Sequence, residues 1–484
     1  MKKHSTTLKK IGLTLASLGA VMSTGAIAAN NMHVKSEGGI MIYNPSDSAY
    51  WFSVGGRMSL DETVFSGKTL SKGNQFASGG NIRRALLKFA GGVGDYLSYN
   101  LTLDFARPHI NSGNLNEFDA RGRNGTSVDF EDAYINASSE FTGAIGISNL
   151  RLGQFTPPTS IDDWGNYGTN NDTMFLESSL ATSAFAIPSK VYGVWFDATA
   201  IDMFMLSASV FHPKQNNFNG SGNRAQGINS GVAHNNNYGD TGRSDRLGAA
   251  LRLTFAPVHT CDTVYHLGVM GRYQSMNNTN QSNAIGQYNL FQTTPEARAR
   301  QTGQLVNTGF VRGRSYSVVN GEALAMWGPA TVEGEIYQAI VQRVPSGGTP
   351  LLDTGTTQGN PRFHGWHIEA AYVLTGEHRV YDFETGTLRN PKPCDKAGAW
   401  EVAARYSFVN MVDKNIYGGS EHNTTLGLNW FVNEHVKVSA NYIRAKIHPT
   451  GRGTTVVASQ IVFDNASTAQ RKLDIVGLRL AVAF

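Results

Sequence analysis

Four carboxylates stand in one stretch of the chain that contains no basic residue. Residues 156–189 read TPPTSIDDWGNYGTNNDTMFLESSLATSAFAIPS and carry Asp162, Asp163, Asp172 and Glu177, with no lysine or arginine. Groups of one charge sign attract the opposite ion when they border a water-filled passage. These acids could therefore attract cations or repel anions, provided that the fold places them beside such a passage.

Residues that could catalyse hydrolysis are not arranged for it. A nucleophile needs a base held beside it, but the sequence has no G-x-S-x-G elbow. His364 and His367 would face opposite sides of a strand. Cys261 and Cys394 are too few for a structural zinc site, and no histidine stands at ligand spacing from either. We therefore expect no enzyme activity, no metal site and no cofactor.

Strict alternation of apolar and polar residues predicts strands throughout the chain. In RLGAALRLTF (246–255) and WEVAARYSF (400–408), one parity is apolar and the other carries arginine, glycine or serine. The final stretch, LDIVGLRLAVAF (473–484), alternates in the same way up to Phe484. The pattern predicts sixteen strands, near 50–65, 81–93, 96–106, 127–138, 144–155, 189–199, 202–212, 244–257, 262–275, 318–328, 330–344, 362–375, 397–409, 420–432, 435–447 and 470–484.

The first residues resemble a secretory leader. Four lysines precede the apolar run IGLTLASLGAV, and AIA at 26–28 fits a small-residue cleavage site. We expect residues 1–28 to be a signal peptide and residues 29–484 to form one domain; a retained anchor helix is the alternative. The whole chain has 41 basic and 37 acidic residues, so removal of the four leader lysines leaves 37 of each sign. This balance argues against a nucleic-acid surface.

Short and long connections between the predicted strands alternate. GVGD, TAID, WGPA and FVNEH are tight, whereas 213–243 and 276–317 are long and rich in asparagine and glycine. An even strand number with this alternation is typical of an outer-membrane barrel with short periplasmic turns and long outer loops. The last strand would pair with the first, so no edge is left unpaired. A soluble sandwich shares the alternation but explains neither the leader nor the loop lengths.

Several segments resemble the phosphate-selective porin O and P family of Gram-negative outer membranes. They are VGGRMSL (54–60), IRRALLKFAGG (82–92), VYHLGVMGRY (264–273), IEAAYVLTGEHRVYDFE (368–384), GAWEVAARYS (398–407) and TLGLNWFVNEHVKVSANYIRAK (425–446). The resemblance implies a homotrimer of closed sixteen-stranded antiparallel transmembrane barrels, each a water-filled pore with a constriction loop folded into it. The implied partners are the lipid bilayer, lipopolysaccharide, and small ions and solutes.

The resemblance also implies roles for individual side chains. By motif match, Arg57 and Arg84 would lie on a basic pore wall, and Glu131 in FEDA matches an acidic family position. Strict alternation adds Lys88 to this wall. By strict alternation Arg83 would face outward, at the rim or a subunit interface. A solvated side chain without a role in selectivity is the alternative for each basic residue.

The constriction loop departs from the family pattern. Family members carry lysines there, whereas the matching stretch 156–189 carries only the four acids. We expect those acids to face the basic wall and to create a transverse field that weakens selectivity.

Three functional hypotheses follow. The first is an outer-membrane porin for passive diffusion of small hydrophilic solutes and ions, with weak selectivity. The second is an anion- or phosphate-selective porin, favoured if some of the loop acids point away from the lumen or if Arg246, Arg252, Arg272 and Arg405 form a conduction path. The third is a surface adhesin or structural protein. For Cys261 and Cys394, which the strand map puts at the periplasmic end, we expect either a disulfide that pins residues 376–397 or two free thiols.

Overall fold

The computed structural model describes most of the chain, with gaps. The described residues are 33–36, 39–44, 47–67, 76–106, 128–138, 149–157, 159–162, 172–186, 190–213, 247–275, 290–299, 301–302, 306–308, 311, 313–343, 359–414, 416–448 and 471–484. In these ranges no helix has the length and apolar character needed to cross a bilayer.

Sixteen antiparallel strands form one closed ring. Each pairs with the next along the chain, and the last pairs with the first through the register Leu473↔Gly67 to Ala483↔Arg57. Closure satisfies the backbone hydrogen bonds of every strand, which a lipid environment requires. The strands are Asp47–Gly67 (β1), Gly79–Val93 (β2), Leu97–Asp104 (β3), Asp129–Ser138 (β4), Asn149–Phe155 (β5), Val191–Ala200 (β6), Phe204–Pro213 (β7), Gly248–His259 (β8), Thr263–Ser275 (β9), Gly313–Trp327 (β10), Ala330–Arg343 (β11), Arg362–Val373 (β12), Ala399–Asp413 (β13), Ile416–Phe431 (β14), Val436–His448 (β15) and Arg471–Ala483 (β16).

Short elements accompany the ring. A hairpin of His33–Ser36 and Ile40–Asn44 pairs with the start of β1. Three more two-stranded pieces belong to connections: Phe76–Ala77 with Gln301–Thr302, Gln292–Thr293 with Val306–Asn307, and Val380–Asp382 with Thr387–Arg389. In the described part of the chain one helix, Leu180–Phe185 (α1), lies between β5 and β6.

The two faces of the ring have inverted polarity relative to a soluble protein. Leu251, Leu253 and Ile336, on the apolar parity of their strands, are 42–63% exposed. On the polar parity, Arg252 and Glu335 are at most 3% exposed. The apolar parity therefore faces lipid and the polar parity faces the interior, as the alternation predicts for a membrane barrel.

The predicted strands are confirmed in number and order. β10 begins at Gly313 instead of near 318, because the polar stretch GRSYS still pairs with β11, and β5 begins at Asn149 instead of near 144. The alternation of connection lengths has two exceptions. β13 and β14, predicted to be joined by about ten residues, are separated only by residues 414–415, and the connection 374–398 between β12 and β13 is long although it lies at the end with the short turns.

The closing contact of the ring lies next to Phe484. The Phe484 nitrogen donates to the Gly56 carbonyl at 3.0 Å, and the Gly56 nitrogen donates to the Phe484 carbonyl at 2.8 Å. A Cβ at position 56 would come within 2.7 Å of the Phe484 ring, so glycine allows the ring to cross the backbone of β1. The expectation that the final strand closes the barrel is confirmed.

Candidate pore constriction

Three segments leave the ring and contact its inner wall. The constriction segment (156–186) follows β5, the second inner segment (290–311) follows β9, and the third inner segment (374–398) follows β12. The first two begin at the end of the barrel with the long connections, and the third begins at the end with the short turns. The interior is therefore narrowed from both ends.

The constriction segment lies on glycines of the wall. A Cβ at Gly427 of β14 would stand 3.2 Å from the Phe175 ring, and a Cβ at Gly477 of β16 would stand 2.7 Å from Leu176. The Arg405 guanidinium covers the Phe175 ring at 4.3 Å. The small wall residues let the backbone of the segment approach closely enough for direct contacts with the wall.

The helix α1 holds the next part of the segment. The Ser179 hydroxyl accepts a hydrogen bond from the Thr182 nitrogen at 3.2 Å, which caps the first turn. Phe185 is fully buried, and its ring lies 5.4 Å from Phe291 of the second inner segment. Burial of such a side chain contributes roughly 2 kcal/mol. The second inner segment therefore packs directly on the constriction segment.

Glu177 is the most strongly held of the predicted loop acids. Arg83 donates to its two oxygens at 2.6 and 2.8 Å, Arg479 of β16 at 2.9 Å, and Arg298 of the second inner segment lies 3.5 Å away. Burial alone would raise the pKa of Glu177, but Arg83, Arg298 and Arg479 lower it well below its usual range. The carboxylate is charged and joins three elements.

The expectation for Arg83 is wrong. It points into the barrel together with Arg84, because the β1–β2 register shifts between Ser59 and Leu60 and Arg83 occupies the irregularity. A bulge inserts one residue and changes the face that the following residues occupy. Strict alternation could not anticipate this change.

Asp162 does not face the basic wall. Its carboxylate accepts from the Ser179 nitrogen at 2.7 Å, and the neighbouring Ile161 nitrogen donates to Glu335 of β11 at 2.8 Å. Burial raises the pKa of Asp162 to about 6, although Arg405 and the Ser179 hydrogen bond oppose the shift. Asp163 lies outside the described residues. The part of the predicted transverse field that Asp162 would supply is therefore not formed.

Asp172 connects the constriction segment to the third inner segment. The Asn390 nitrogen donates to its carboxylate at 3.2 Å, and Arg379 donates to its carbonyl at 2.8 Å. Arg379 also forms a bidentate pair with Glu401 of β13, with both contacts at 2.7 Å. The two segments therefore meet within the barrel.

The three predicted basic residues lie on the inner wall of β1 and β2. Arg57 is buried and within electrostatic reach of Asp172 and Glu131. Arg84 pairs with Asp104 at 3.7 Å. Lys88 is exposed to the lumen, within electrostatic reach of three other inward-facing charged groups, Asp132, Arg151 and Arg389.

Glu131 belongs to an acidic pair at the lumen wall. Lys190, the residue before β6, lies 3.5 Å from Glu131 and 3.0 Å from Asp132. Both neighbours can reach one lysine because the β3–β4 register shifts between Thr102 and Leu103. The charge of this family-matched position is thus largely balanced.

Two of the four arginines suggested for a conduction path, Arg252 and Arg405, have carboxylate partners. Arg252 contacts Glu322 at 2.7 Å and also donates to the Thr385 carbonyl of the third inner segment. Arg405 contacts Glu296 of the second inner segment at 2.9 Å. Arg246 lies outside the described residues, and Arg272 stacks on Phe211 at 5.2 Å.

Sequence reasoning missed the wall acids and the residues that bind them. Arg479 and Glu401 stand on the polar parity of predicted strands, so their inward direction could be inferred. Arg298 and Glu296 lie in a loop that carries no periodic signal. Only the fold shows that this loop enters the barrel and contacts Glu177 and Arg405.

The disulfide alternative is not formed in this structure. Cys261, in the turn between β8 and β9, and Cys394, in the third inner segment, are both free and exposed. The Cys394 nitrogen donates to Glu377 at 3.2 Å, so the local turn of its own segment holds it in place. The third inner segment is fixed by the buried Arg379–Glu401 pair instead.

Comparison with known proteins identifies a family. Residues 52–470 match the family model described as phosphate-selective porin O and P. Porin O of Pseudomonas aeruginosa (strain PAO1) is 24% identical over 478 residues, which cover 92% of this chain and 94% of that protein.

Solved porin structures can also be superposed on the chain. OmpT of Vibrio cholerae, in its trimer form, gives a TM-score of 0.48 at 10% identity, covering 90% of this chain and all of that one. The anion-selective porin of Comamonas acidovorans gives 0.45 at 12% identity, covering 90% and 99% of the two chains.

Proposed function

Because the chain belongs to the phosphate-selective porin O and P family and forms an outer-membrane porin channel, we propose that its channel discriminates only weakly between anions and cations. Small hydrophilic solutes and ions cross it by passive diffusion. The protein forms a channel, and we propose that it has no catalytic activity.

The observation that carries this proposal is the pairing of opposite charges at the constriction. Glu177 forms ion pairs with Arg83, Arg298 and Arg479, and Arg379 forms an ion pair with Glu401. Rings of a single charge sign give strong selectivity, whereas paired charges cancel at the distance of a passing ion. The constriction segment therefore limits the passage of ions mainly by the space that it occupies and less by its charge.

Anion selectivity is the second candidate, and one group of residues favours it. Lys88 is exposed to the lumen within electrostatic reach of Arg151 and Arg389. These cations come from β2, β5 and the third inner segment. Anions would be concentrated there if a continuous water path passes between those elements.

The reversal potential of the purified protein in a planar bilayer under a KCl gradient tests both candidates. A small potential supports weak selectivity. A strongly anion-directed potential, with conductance blocked by added phosphate, supports the second candidate. Folded protein without conductance contradicts both.

We propose further that residues 1–28 are a signal peptide, that the mature protein is a single barrel domain beginning near residue 29, and that it is a homotrimer in contact with lipopolysaccharide. The sequence pattern of the leader and the family membership support these proposals. N-terminal sequencing of protein extracted from outer membranes tests the cleavage. Chemical crosslinking and light scattering in detergent test the trimer.

A further inference from the structure

Four ionisable side chains form a two-by-two array on the inner wall. The β11–β12 register places Glu333 opposite Glu369 and Glu335 opposite His367. Residues two apart on a strand share a face, so all four point inward. Each is at most 5% exposed. Because like charges placed directly opposite each other are destabilising, the Glu333–Glu369 pair requires a compensating group.

The array has too few counter-charges. Asp162 of the constriction segment closes over it, which brings the number of buried carboxylates to four. Arg405 contacts Glu369 at 3.3 Å but is also bound to Glu296 at 2.9 Å. Buried carboxylates are stable only when they are paired, protonated or coordinated to a cation. Arg379 is also within electrostatic reach of Glu333 but is bound to Glu401. Among the described residues, these two shared guanidinium groups do not compensate four carboxylates.

Several atoms of the array lack hydrogen-bond partners. Both ring nitrogens of His367 and the Oε2 atom of Glu333 make no hydrogen bond to any described residue, although the two residues are 2% and 5% exposed. Glu335, in contrast, accepts from Tyr337 at 2.9 Å and from the Ile161 nitrogen at 2.8 Å. The unsatisfied atoms therefore concentrate on the side of the array formed by Glu333, His367 and Glu369.

We propose that His367, Glu333 and Glu369 bind a divalent transition-metal ion of the zinc type. One ligand atom from each lies within 4.8 Å of the others, and a second set formed by Asp162, Glu335 and His367 meets the same limit. Ligand atoms around a zinc ion stand about 3.3 Å apart, so binding needs side-chain shifts of about 1.5 Å. Imidazole combined with carboxylates suits zinc better than magnesium or calcium.

Glu335 has a place in this site as an orienting partner. Its Oε2 atom lies 4.0 Å from Nδ1 of His367. A metal-bound histidine usually donates its other ring nitrogen to such a carboxylate. Because Glu335 also accepts from Ile161 of the constriction segment, the bound ion is connected to the position of that segment.

The first test is zinc stoichiometry in the full-length purified protein. Protein stripped with chelator is equilibrated with ZnCl₂ in detergent, and bound zinc is measured by mass spectrometry of the metal. We expect one zinc per chain, and an anomalous diffraction peak at the zinc edge beside His367. Calcium and magnesium in excess should not displace it, because neither favours imidazole.

Two variants of one strand form the matched comparison. His367→Gln removes the inward ligand, whereas His364→Gln changes an exposed histidine of β12 that points outward. Since even outer-shell changes cost 10–100-fold in affinity, loss of the ligand should cost at least about 100-fold. His364→Gln should bind zinc as the wild type does. Folding is checked by heat-modifiable mobility in gels, and Glu333→Gln replaces His367→Gln if the latter does not fold.

Three results of these measurements would contradict zinc binding at His367. No retained zinc in the wild type, or equal retention in His367→Gln, overturns the proposal. Loss of zinc in His364→Gln but not in His367→Gln also overturns it, because the ion then binds the outer surface. The measurement requires no ion flux, so its failure leaves the channel role untouched.

Discussion

Replacing Glu177 by glutamine removes one negative charge from the constriction without changing the shape of the side chain. The carboxylate contacts Arg83 at 2.6 Å, Arg479 at 2.9 Å and Arg298 at 3.5 Å. The variant leaves the guanidinium groups without their shared anion, so the local charge rises by one unit. We expect the channel to become more permeable to anions relative to cations.

The size of the effect follows from electrostatics in water. A unit charge acts on an ion about 6 Å away with about 0.7 kcal/mol in water, and 0.1 M salt reduces this to about 0.4 kcal/mol. That energy corresponds to about twofold in the local concentration of each ion, with opposite signs for K⁺ and Cl⁻. The permeability ratio should therefore shift by about fourfold toward Cl⁻.

The assay is the reversal potential under a KCl gradient in a planar bilayer. Glu434→Gln, in the exposed turn between β14 and β15, removes the same charge far from the constriction and serves as the control. An unchanged ratio in Glu177→Gln, or a shift toward K⁺, would refute the reasoning, because the carboxylate would then not influence the ion path.

A second variant distinguishes a charge effect from movement of the segment. Loss of one partner from a buried ion pair costs about 3–5 kcal/mol and could detach the constriction segment. Arg83→Gln breaks the same contact as Glu177→Gln but changes the charge in the opposite direction. Opposite shifts of the permeability ratio indicate charge, whereas equal shifts with raised conductance indicate detachment.

Further outcomes are expected elsewhere in the barrel. Lys88→Gln should shift the permeability ratio toward K⁺ by about fourfold, since it also removes one unit charge, and an unchanged reversal potential would place Lys88 off the path. Arg379→Ala should raise single-channel conductance, because removing one partner of the buried pair that holds the third inner segment costs about 3–5 kcal/mol; unchanged conductance would show that this segment does not limit flow. Deletion of Phe484 should lower the yield of heat-modifiable folded protein more than Phe484→Ala, which keeps both backbone hydrogen bonds; equal yields would contradict this. Alkylation without reductant should add two adducts, at Cys261 and Cys394, and an unchanged mass would indicate the disulfide.

The alternation of residue types predicted the strands, and the even strand number, the loop lengths and the leader together favoured a closed ring. Stretches such as RLGAALRLTF and TTLGLNWFV place every second side chain on the lipid face, and nearly every strand has the same pattern. The sequence could not predict where the period is interrupted. The irregularities near Arg83 and Glu131 change which residues enter the lumen, and a bulge has no signature in hydrophobic periodicity.

The constriction was predicted in place but not in its electrostatics. The stretch 156–189 does enter the barrel where it is described, as expected from the resemblance. Its acids were expected to face the basic wall of Arg57, Arg84 and Lys88. Glu177 instead pairs with other arginines, and Asp162 lies against Glu335. Such pairings depend on strand register and on loops more than 100 residues away in sequence, which no local pattern encodes.

The contact between Gly56 and Phe484 has a consequence for the order of folding. These residues lie roughly 430 positions apart, and closing a chain of that length costs about 5 kcal/mol in loop entropy. Formation of a strand pair of such high sequence separation is slow, because the entropy is lost before any contact compensates it. Before closure the sheet has two unpaired edges, at β1 and at β16, and both can pair with another chain. Assembly in the membrane therefore calls for a partner that covers these two edges until the last strand meets the first.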